Sequence, residues 1–144
     1  MKEEMLKQAK TLLLEDGTTF VAIAQDGSIY RSDKKGIAPM MELLAQGTNL
    51  QGGVVADKVI GRAAAMLMHQ AGIIRLHARI ISEHALRGLE NSDIHVSFDK
   101  TVPYIINRTK TGMCPMEEAV LLIDEPEMAY EVLLEKFAKM QAGK

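Results

Sequence analysis

The side chains best suited to chemistry fall in three short segments: residues 56–58, residues 82–84 and the polar stretch 107–114. The last segment carries two cations, an amide, two hydroxyls and a glycine, and Pro115 after it suits the first position of a helix. Backbone N–H groups at a helix start, together with cationic side chains, can hold a phosphate or carboxylate. The segment therefore predicts a site for a small anionic ligand, with a solvated, cap-rich turn as the alternative. The candidate ligand-binding residues in it are Asn107, Arg108, Thr109, Thr111 and Gly112.

An acid and a base stand side by side at Asp57 and Lys58, where the sequence predicts the start of a helix. In a functional interpretation, Asp57 transfers protons and Lys58 stabilises an anionic group or intermediate. In the alternative, Asp57 caps the helix and Lys58 lies in water. Lys58 and Arg62 are the only cations in the first two turns of an otherwise apolar segment, which favours a polar pocket at its mouth. Asp57 and Lys58 are therefore candidate catalytic residues.

Ser82 and Glu83 directly follow the clearest predicted strand and begin a predicted helix. Ser82 suits the N-cap, and Glu83 is favoured by the positive end of the helix dipole, so structure alone can explain both residues. The carboxyl ends of strands in open α/β sheets are also where ligands bind. Ser82 and Glu83 are therefore further candidate ligand-binding residues.

Cys114, the single cysteine, is predicted at the start of the helix that follows the polar stretch. The helix N-terminus and the nearby cations Arg108 and Lys110 would favour a nucleophilic thiolate. Glu117 and Glu118 in the same first turn would oppose a second negative charge. Two interpretations therefore stay open for Cys114, a catalytic nucleophile and a small buried hydrophobic side chain.

Composition excludes several classes of protein. One cysteine rules out an intramolecular disulfide, and the four histidines lack ligand spacing, so neither a metal site nor another cofactor is predicted. Seventeen Lys and Arg against nineteen Asp and Glu argue against a nucleic-acid partner. With no targeting signal and no apolar run of about 18 residues, the sequence predicts a cytoplasmic protein without a membrane partner.

Hydrophobic periodicity over the 144 residues predicts a single domain, 1–144, with helices alternating with strands. An Asp26-Gly27 turn predicts a hairpin, and the order of later elements predicts a parallel β-α-β unit. The result is a mixed sheet sandwiched between helices. The predicted helices are 3–15, a short one ending at Gly47, 57–70, 82–90, one starting at Pro115, and one from after Pro126 to about 141; the strands are 18–24, 28–32, 73–81 and 94–98, with 102–106 a strand or an extended connection.

Two further patterns concern association. Arg75, His77 and Arg79 alternate along the clearest strand, and His95 and Ser97 repeat the pattern on the next one. This polar face predicts a wet groove or a polar subunit interface, with plain solvent exposure as the alternative. A homo-oligomer is also an expectation, because methionines 40 and 41 and the C-terminal helix offer adaptable apolar surface.

Four segments together resemble a small prokaryotic family of uncharacterised function that is assigned to the cytidine-deaminase-like fold. The similarity covers residues 10–125, and its most specific part runs from Asn-Arg-Thr to Cys-Pro-Met. The resemblance implies a three-layer α/β/α sandwich with a five-stranded sheet in the order 2-1-3-4-5. The segments are Val55-Ala56-Asp57-Lys58-Val59-Ile60-Gly61, Ile80-Ile81-Ser82-Glu83, Val102-Pro103-Tyr104-Ile105-Ile106-Asn107-Arg108-Thr109 and Gly112-Met113-Cys114-Pro115-Met116-Glu117.

The resemblance does not imply deamination. Zinc deaminases carry His-x-Glu at one helix start and Pro-Cys-x-x-Cys at the next. The corresponding places here are expected to hold residues 56–58 and 82–85, which supply no thiolate for zinc. Three hypotheses follow: a metal-free enzyme or sensor for a small anionic, nucleotide-like ligand, with Cys114 as nucleophile; a non-catalytic ligand-binding or assembly module; and zinc deamination, which the missing ligands disfavour.

Overall fold

The computed structural model describes residues 2–107 and 109–142, and the side chains of residues 2–107 and 109–140. Within these ranges the chain forms five strands and six helices. The strands are β1 (Phe20–Ile23), β2 (Ile29–Ser32), β3 (Val54–Ile60), β4 (Arg75–Ser82) and β5 (His95–Val102). The helices are α1 (Lys2–Leu13), α2 (Ala38–Ala45), α3 (Arg62–Gln70), α4 (Glu83–Gly88), α5 (Pro115–Ala119) and α6 (Pro126–Ala142).

The five strands form one mixed sheet in the order β2-β1-β3-β4-β5, which confirms the predicted order. Strand β1 is antiparallel to both β2 and β3, whereas β3, β4 and β5 run parallel to one another. The predicted hairpin is confirmed: the Asp26 carboxylate accepts the Ser28 N–H at 2.9 Å, and Gly27 has a φ of 92°. Such a positive φ is what an Asp-Gly turn requires. The predicted parallel β-α-β unit is confirmed in β4, α4 and β5.

Helices cover both faces of the sheet, as alternation along the strands dictates. Val21 and Ile23 of β1 pack with Ala9 and Leu13 of α1 in a small core. Phe20 and other residues of the opposite face pack in a larger core with α2, α3, α4 and α6. The five-stranded sheet therefore lies between α1 on one face and several helices on the other, which is the predicted α/β class.

The prediction that a helix starts at Asp57 is wrong. Residues 54–60 form strand β3, paired with β1 on one side and β4 on the other, and the helix begins only at Arg62. Gly61 precedes it with an extended backbone at φ −94° and ψ 177°. The physical reason is that residues 54–56 and Ile60 are buried on both faces of the sheet, so no period of two marks the strand, and Asp57 has the signature of an N-cap for the buried helix behind it.

Two smaller differences concern the last strand of the sheet and the predicted association surface. Strand β5 runs on to Val102, and the following residues form a connection with one bridge, between Ile106 and Met113. Met40 and Met41 are buried in the large core, so the prediction that they offer surface for association is wrong.

Among the described helices, none is both long and apolar enough to span a bilayer.

Candidate functional site

The carboxyl ends of the parallel strands meet around a buried carboxylate, that of Glu117, which is 1% exposed. Its Oε1 accepts the Arg62 N–H at 2.7 Å and the Ser82 hydroxyl, and its Oε2 accepts the Ile105 N–H at 2.6 Å. One side chain thereby joins the start of α3, the end of β4 and the connection after β5. We call these groups, together with the Arg62 side chain, the Glu117 centre.

Gly61 makes room for this arrangement. A Cβ atom at Gly61 would lie 2.8 Å from Cγ1 of Ile105 and 3.2 Å from Oε1 of Glu117. Contacts that short would force the neighbouring groups apart, so only glycine lets the turn from β3 into α3 approach the carboxylate. The close approach explains why a glycine stands between the strand and the helix.

The Arg62 guanidinium forms the second half of the Glu117 centre. It is buried, and it donates to the carbonyl oxygens of Val120 at 2.9 Å, His84 at 3.1 Å and Ile123 at 2.6 Å. It also contacts the carboxylate of exposed Asp124 at 3.0 Å. A charge removed from water is tolerated only when it is paired and hydrogen-bonded, as here. Arg62 therefore ties α3 to α4 and to the connection after α5, and it does not line the polar pocket mouth that the sequence predicts.

The chemistry of the Glu117 centre is structural. The carboxylate accepts three hydrogen bonds and the guanidinium donates four, so each charged group has its partners inside the protein. Sequence reasoning missed this role, because Glu117 at the start of a short helix has the ordinary signature of a residue favoured by the helix dipole. Its partners lie 55, 35 and 12 residues away, and no local pattern marks them.

Ser82 is the N-cap of α4, as predicted. Its oxygen accepts the Ala85 N–H at 3.0 Å while its hydroxyl donates to Glu117, and the residue is fully buried. Glu83 is exposed in the first turn of the same helix. The structure thus brings Ser82 into the Glu117 centre and leaves Glu83 at the surface; ligand contact by either residue stays a prediction.

Asp57 and Lys58 lie within β3 and not at a helix mouth. Successive side chains of a strand point to opposite faces, so the acid and the base are on opposite sides of the sheet. In the register of the sheet, Asp57 is opposite Ala78, four residues before Ser82 and about 13 Å along the strand. The proposed acid–base pair is therefore neither assembled nor adjacent to the Glu117 centre.

The environment of Asp57 is unusual for a carboxyl group. The residue is only 5% exposed, and its Oδ2 atom has no hydrogen-bond partner among the described residues. Burial raises the pKa of Asp57 to about 8, although backbone N–H groups of Val59 and Lys58 partly offset the effect. Near neutral pH the protonated form is therefore the main one, because an ionised carboxylate here would lack solvation.

The described residues of the polar loop, 107 and 109–112, are held together by hydrogen bonds of the Asn107 side chain. Its Oδ1 accepts the Thr111 N–H at 3.0 Å and the Thr109 hydroxyl at 3.2 Å, and its Nδ2 donates to the Thr111 hydroxyl at 3.1 Å. The Asn107 N–H donates to the Gly112 carbonyl at 2.9 Å, and Lys110 at the tip has a φ of 59°. Thr109, Lys110 and Thr111 are exposed, and predicted Arg108 lies outside the described residues.

Cys114 lies at the base of this loop, as the N-cap of α5, and its side chain is half-buried against the large core. Its N–H donates to the Ile105 carbonyl at 2.7 Å. Because the N–H of Ile105 donates to Glu117, the loop is anchored directly to the Glu117 centre. The structure thus groups Ser82, Cys114 and the polar loop at one edge of the sheet, as predicted, and separates Asp57 and Lys58 from them.

Two shallow grooves lie elsewhere. One, of about 280 Å³, lies at the tip of the β1–β2 hairpin, and another, of about 460 Å³, lies beside the connection from α1 to β1. Neither is lined by a residue of the predicted site. Within residues 2–107 and 109–142, no three His, Cys, Asp or Glu side chains are grouped so that they could hold a metal ion.

Comparison with known proteins gives a family. The model of a domain of unknown function, DUF1893, matches residues 8–137. A solved DUF1893 family protein from Thermotoga maritima is 29% identical, with 94% of this chain and 92% of that chain covered and a TM-score of 0.84. No curated protein matches.

A diaminohydroxyphosphoribosylaminopyrimidine deaminase/5-amino-6-(5-phosphoribosylamino)uracil reductase from Thermotoga maritima is similar over 83% of this chain and 41% of that chain. Its identity is 12% and its TM-score 0.45, a level that carries no argument about fold or activity. The match to the family model, in contrast, spans most of the sequence. This chain belongs to the DUF1893 family.

Proposed function

We propose that this protein binds a small anionic, nucleotide-like ligand at the carboxyl-terminal edge of its parallel strands, without a metal ion. The observation that carries the proposal is the polar loop: Lys110 is exposed at the tip of a turn that Asn107 holds in one shape, between Thr109 and Thr111, which are exposed and whose hydroxyls bond within the loop. A backbone turn that is fixed before binding loses little conformational freedom when a ligand arrives. Phosphate or carboxylate groups are the natural partners of an amine flanked by hydroxyls.

The groups around the polar loop favour a protein that binds its ligand without catalysing a reaction. The carboxylate and guanidinium of the Glu117 centre are occupied by internal hydrogen bonds, and a general acid or base needs an available proton site within reach of the substrate. Asp57 and Lys58 lie down the strand and on opposite faces. The deaminase-like fold is also proposed here, supported by the strand order β2-β1-β3-β4-β5, which equals the order that the sequence resemblance implies.

Chemistry at Cys114 is the second candidate function, favoured by the half-exposed thiol at the base of the same loop. A nucleophilic thiol in a ligand site reacts quickly with a thiol reagent at neutral pH, and bound nucleotide protects it. A thiol that serves only as packing reacts slowly, with or without nucleotide. The two rates, measured with iodoacetamide in the presence and absence of AMP, decide between catalyst and binding module.

The binding itself is tested by a thermal-shift and calorimetric titration with AMP, ADP and inorganic phosphate. The variant is Lys110→Asn, because asparagine tolerates the positive φ at this position and removes the charge. We expect a dissociation constant about tenfold or more higher than that of the wild type, the usual effect of losing one charge-assisted hydrogen bond.

The matched control is Lys35→Asn, which removes an exposed lysine that follows β2, the edge strand at the opposite side of the sheet from β5. Both variants change the net charge equally, so a general electrostatic effect would weaken binding in each. Equal weakening, or no ligand-induced rise in the melting temperature of the wild type, would contradict an anion site at residues 107–112.

A further inference from the structure

We propose that strand β5 pairs antiparallel with β5 of a second copy of this chain, across a two-fold axis at Ser97, and so joins two sheets into one. The inference concerns a different part of the molecule from the polar loop. It starts from the position of β5 at the end of the sheet, where, among the described residues, only β4 pairs with it.

Strand β5 is a long and open edge. It has eight residues without a proline, and six of them are exposed, with the other two half-buried. Natural sheets usually shorten, bend, cover or charge such an edge, because its free N–H and C=O groups are a template for another strand. The charged residues of β5, Asp99 and Lys100, leave residues 95–98 without this protection. The opposite edge strand, β2, is protected in this way by its length of four residues.

The backbone limits the registers that a second copy can adopt. The His95 N–H donates to the Ile74 carbonyl at 2.9 Å, so it points towards β4. Because neighbouring residues of a strand point their N–H and C=O groups in opposite directions, those of Val96, Phe98, Lys100 and Val102 point to the free edge. Hydrogen-bonded pairs across a two-fold axis must therefore be formed among these four residues.

One of these registers is self-complementary on both faces. With Ser97 opposite Ser97 of the second copy, Val96 faces Phe98 of the other chain, twice, on the α3 side of the sheet. On the α1 side, the imidazole of His95 faces Asp99, also twice; the Asp99 carboxylate contacts His77 at 3.4 Å and Arg79 at 3.8 Å in its own chain and is exposed enough to take a further partner. Apolar and donor–acceptor pairs of this kind are what stabilise neighbouring strands. The pairing also covers Phe98, whose ring is otherwise 43% exposed.

A competing register, centred on Phe98, is less complementary. It places Phe98 opposite itself, but it puts Val96 opposite Lys100 and leaves His95 opposite Thr101. An apolar side chain beside an ammonium gains little, and the His95–Asp99 contact is lost. Of the alternating polar face predicted from the sequence, His95 and Ser97 then lie at a subunit interface, whereas His77 on β4 contacts Ser97 at 2.8 Å within its own sheet.

The first experiment measures the mass of the full chain in solution by sedimentation and light scattering. The wild type is expected at twice the mass of one chain and Phe98→Glu at the mass of one. The matched control is Ile29→Glu on the opposite edge, because Ile29 is also 43% exposed; it should remain dimeric. A monomeric wild type, or dissociation by Ile29→Glu and not by Phe98→Glu, would overturn the proposal. Circular dichroism confirms that each variant is folded.

The second experiment tests the register by cross-linking, in a Cys114→Ala background that removes the native thiol. In the proposed register the two residues 97 form a non-hydrogen-bonded pair with Cα atoms about 4.5 Å apart, within reach of a disulfide. Ser97→Cys should therefore oxidise to a covalent dimer. Phe98→Cys should not, because its two copies lie diagonally, about 7–8 Å apart. The reverse result would show the competing register and refute this one.

Discussion

At the scale of single residues, Asp57 is the most informative side chain, because the predicted role in proton transfer does not explain why it is buried. Its carboxyl group lies on the core-facing side of β3, opposite Phe20 of β1 in the register of the sheet. The Oδ2 atom has no hydrogen-bond partner among the described residues. This arrangement costs much free energy for an ionised carboxylate and little for a protonated acid. The folded state therefore retains a proton that the unfolded chain releases.

This difference makes the stability of the protein depend on pH. The pKa of Asp57 is raised from 3.8 to about 8 on folding, so between these values the folded state binds more protons than the unfolded one. The stabilisation is fully present below pH 4 and is lost as the pH rises towards 8, by at most about 1.4 kcal/mol per pH unit. The measurement is urea unfolding of the wild type and Asp57→Asn at several pH values from 5 to 8.

Asp57→Asn should lose less stability across this range than the wild type does, because an amide does not ionise. The lowered pKa of His77, caused first by its burial and then by Lys10, acts in the opposite direction in both proteins and cancels in the comparison. Asp16→Asn, at an exposed position, should follow the wild type. Parallel pH profiles for Asp57→Asn and the wild type would show that Asp57 ionises normally in the folded state.

At the scale of elements, the Glu117 centre explains how three strand ends and three helices are held at one edge. The carboxylate contacts the start of α3, the N-cap of α4 and the connection after β5, and Arg62 reaches the connection before α6. The polar loop is joined to the Glu117 centre by the hydrogen bond from the Cys114 N–H to the Ile105 carbonyl. The position of the loop therefore depends on the Glu117 centre, whose charged groups lie outside the loop.

Glu117→Gln tests this role. In either orientation of the amide, its NH₂ group faces a backbone N–H, that of Ile105 or that of Arg62, so at least one hydrogen bond is replaced by two opposed donors. We expect a loss of about 2–4 kcal/mol in the free energy of unfolding. Glu118→Gln, on the exposed neighbour, should change it by less than about 0.5 kcal/mol in the same urea titration.

Local signals were sufficient for some elements and misleading for others. The Asp26-Gly27 turn, the Ser82 cap and the alternation of β4 predicted their structures, because each depends on neighbouring residues. The part of strand β3 from Asp57 on is predicted as helix, because burial on both faces removes the period by which strands are recognised. The Glu117 centre could not be predicted, since its hydrogen bonds join segments up to 55 residues apart.

At the scale of the whole molecule, the two proposals use different edges of one sheet. The polar loop lies beyond the carboxyl ends of the parallel strands, whereas the proposed subunit contact runs along the side of β5. A dimer formed through β5 leaves the loop on each copy, so ligand binding and association can be tested separately. Sequence alone predicted that the polar segments meet at one edge, but it included Asp57 and Lys58, which the β3 register places elsewhere.

The most direct test of the central claim is an NMR titration of isotope-labelled protein with AMP, followed by the backbone amide signals. The account predicts that the signals of residues 107–114 shift in a saturable way, together with those of Ile105 and Arg62, which are hydrogen-bonded to the support of the loop. The signals of the hairpin groove, such as Gln25 and Asp26, should not move. Shifts confined to that groove, with residues 107–114 unchanged at saturating AMP, would contradict the account.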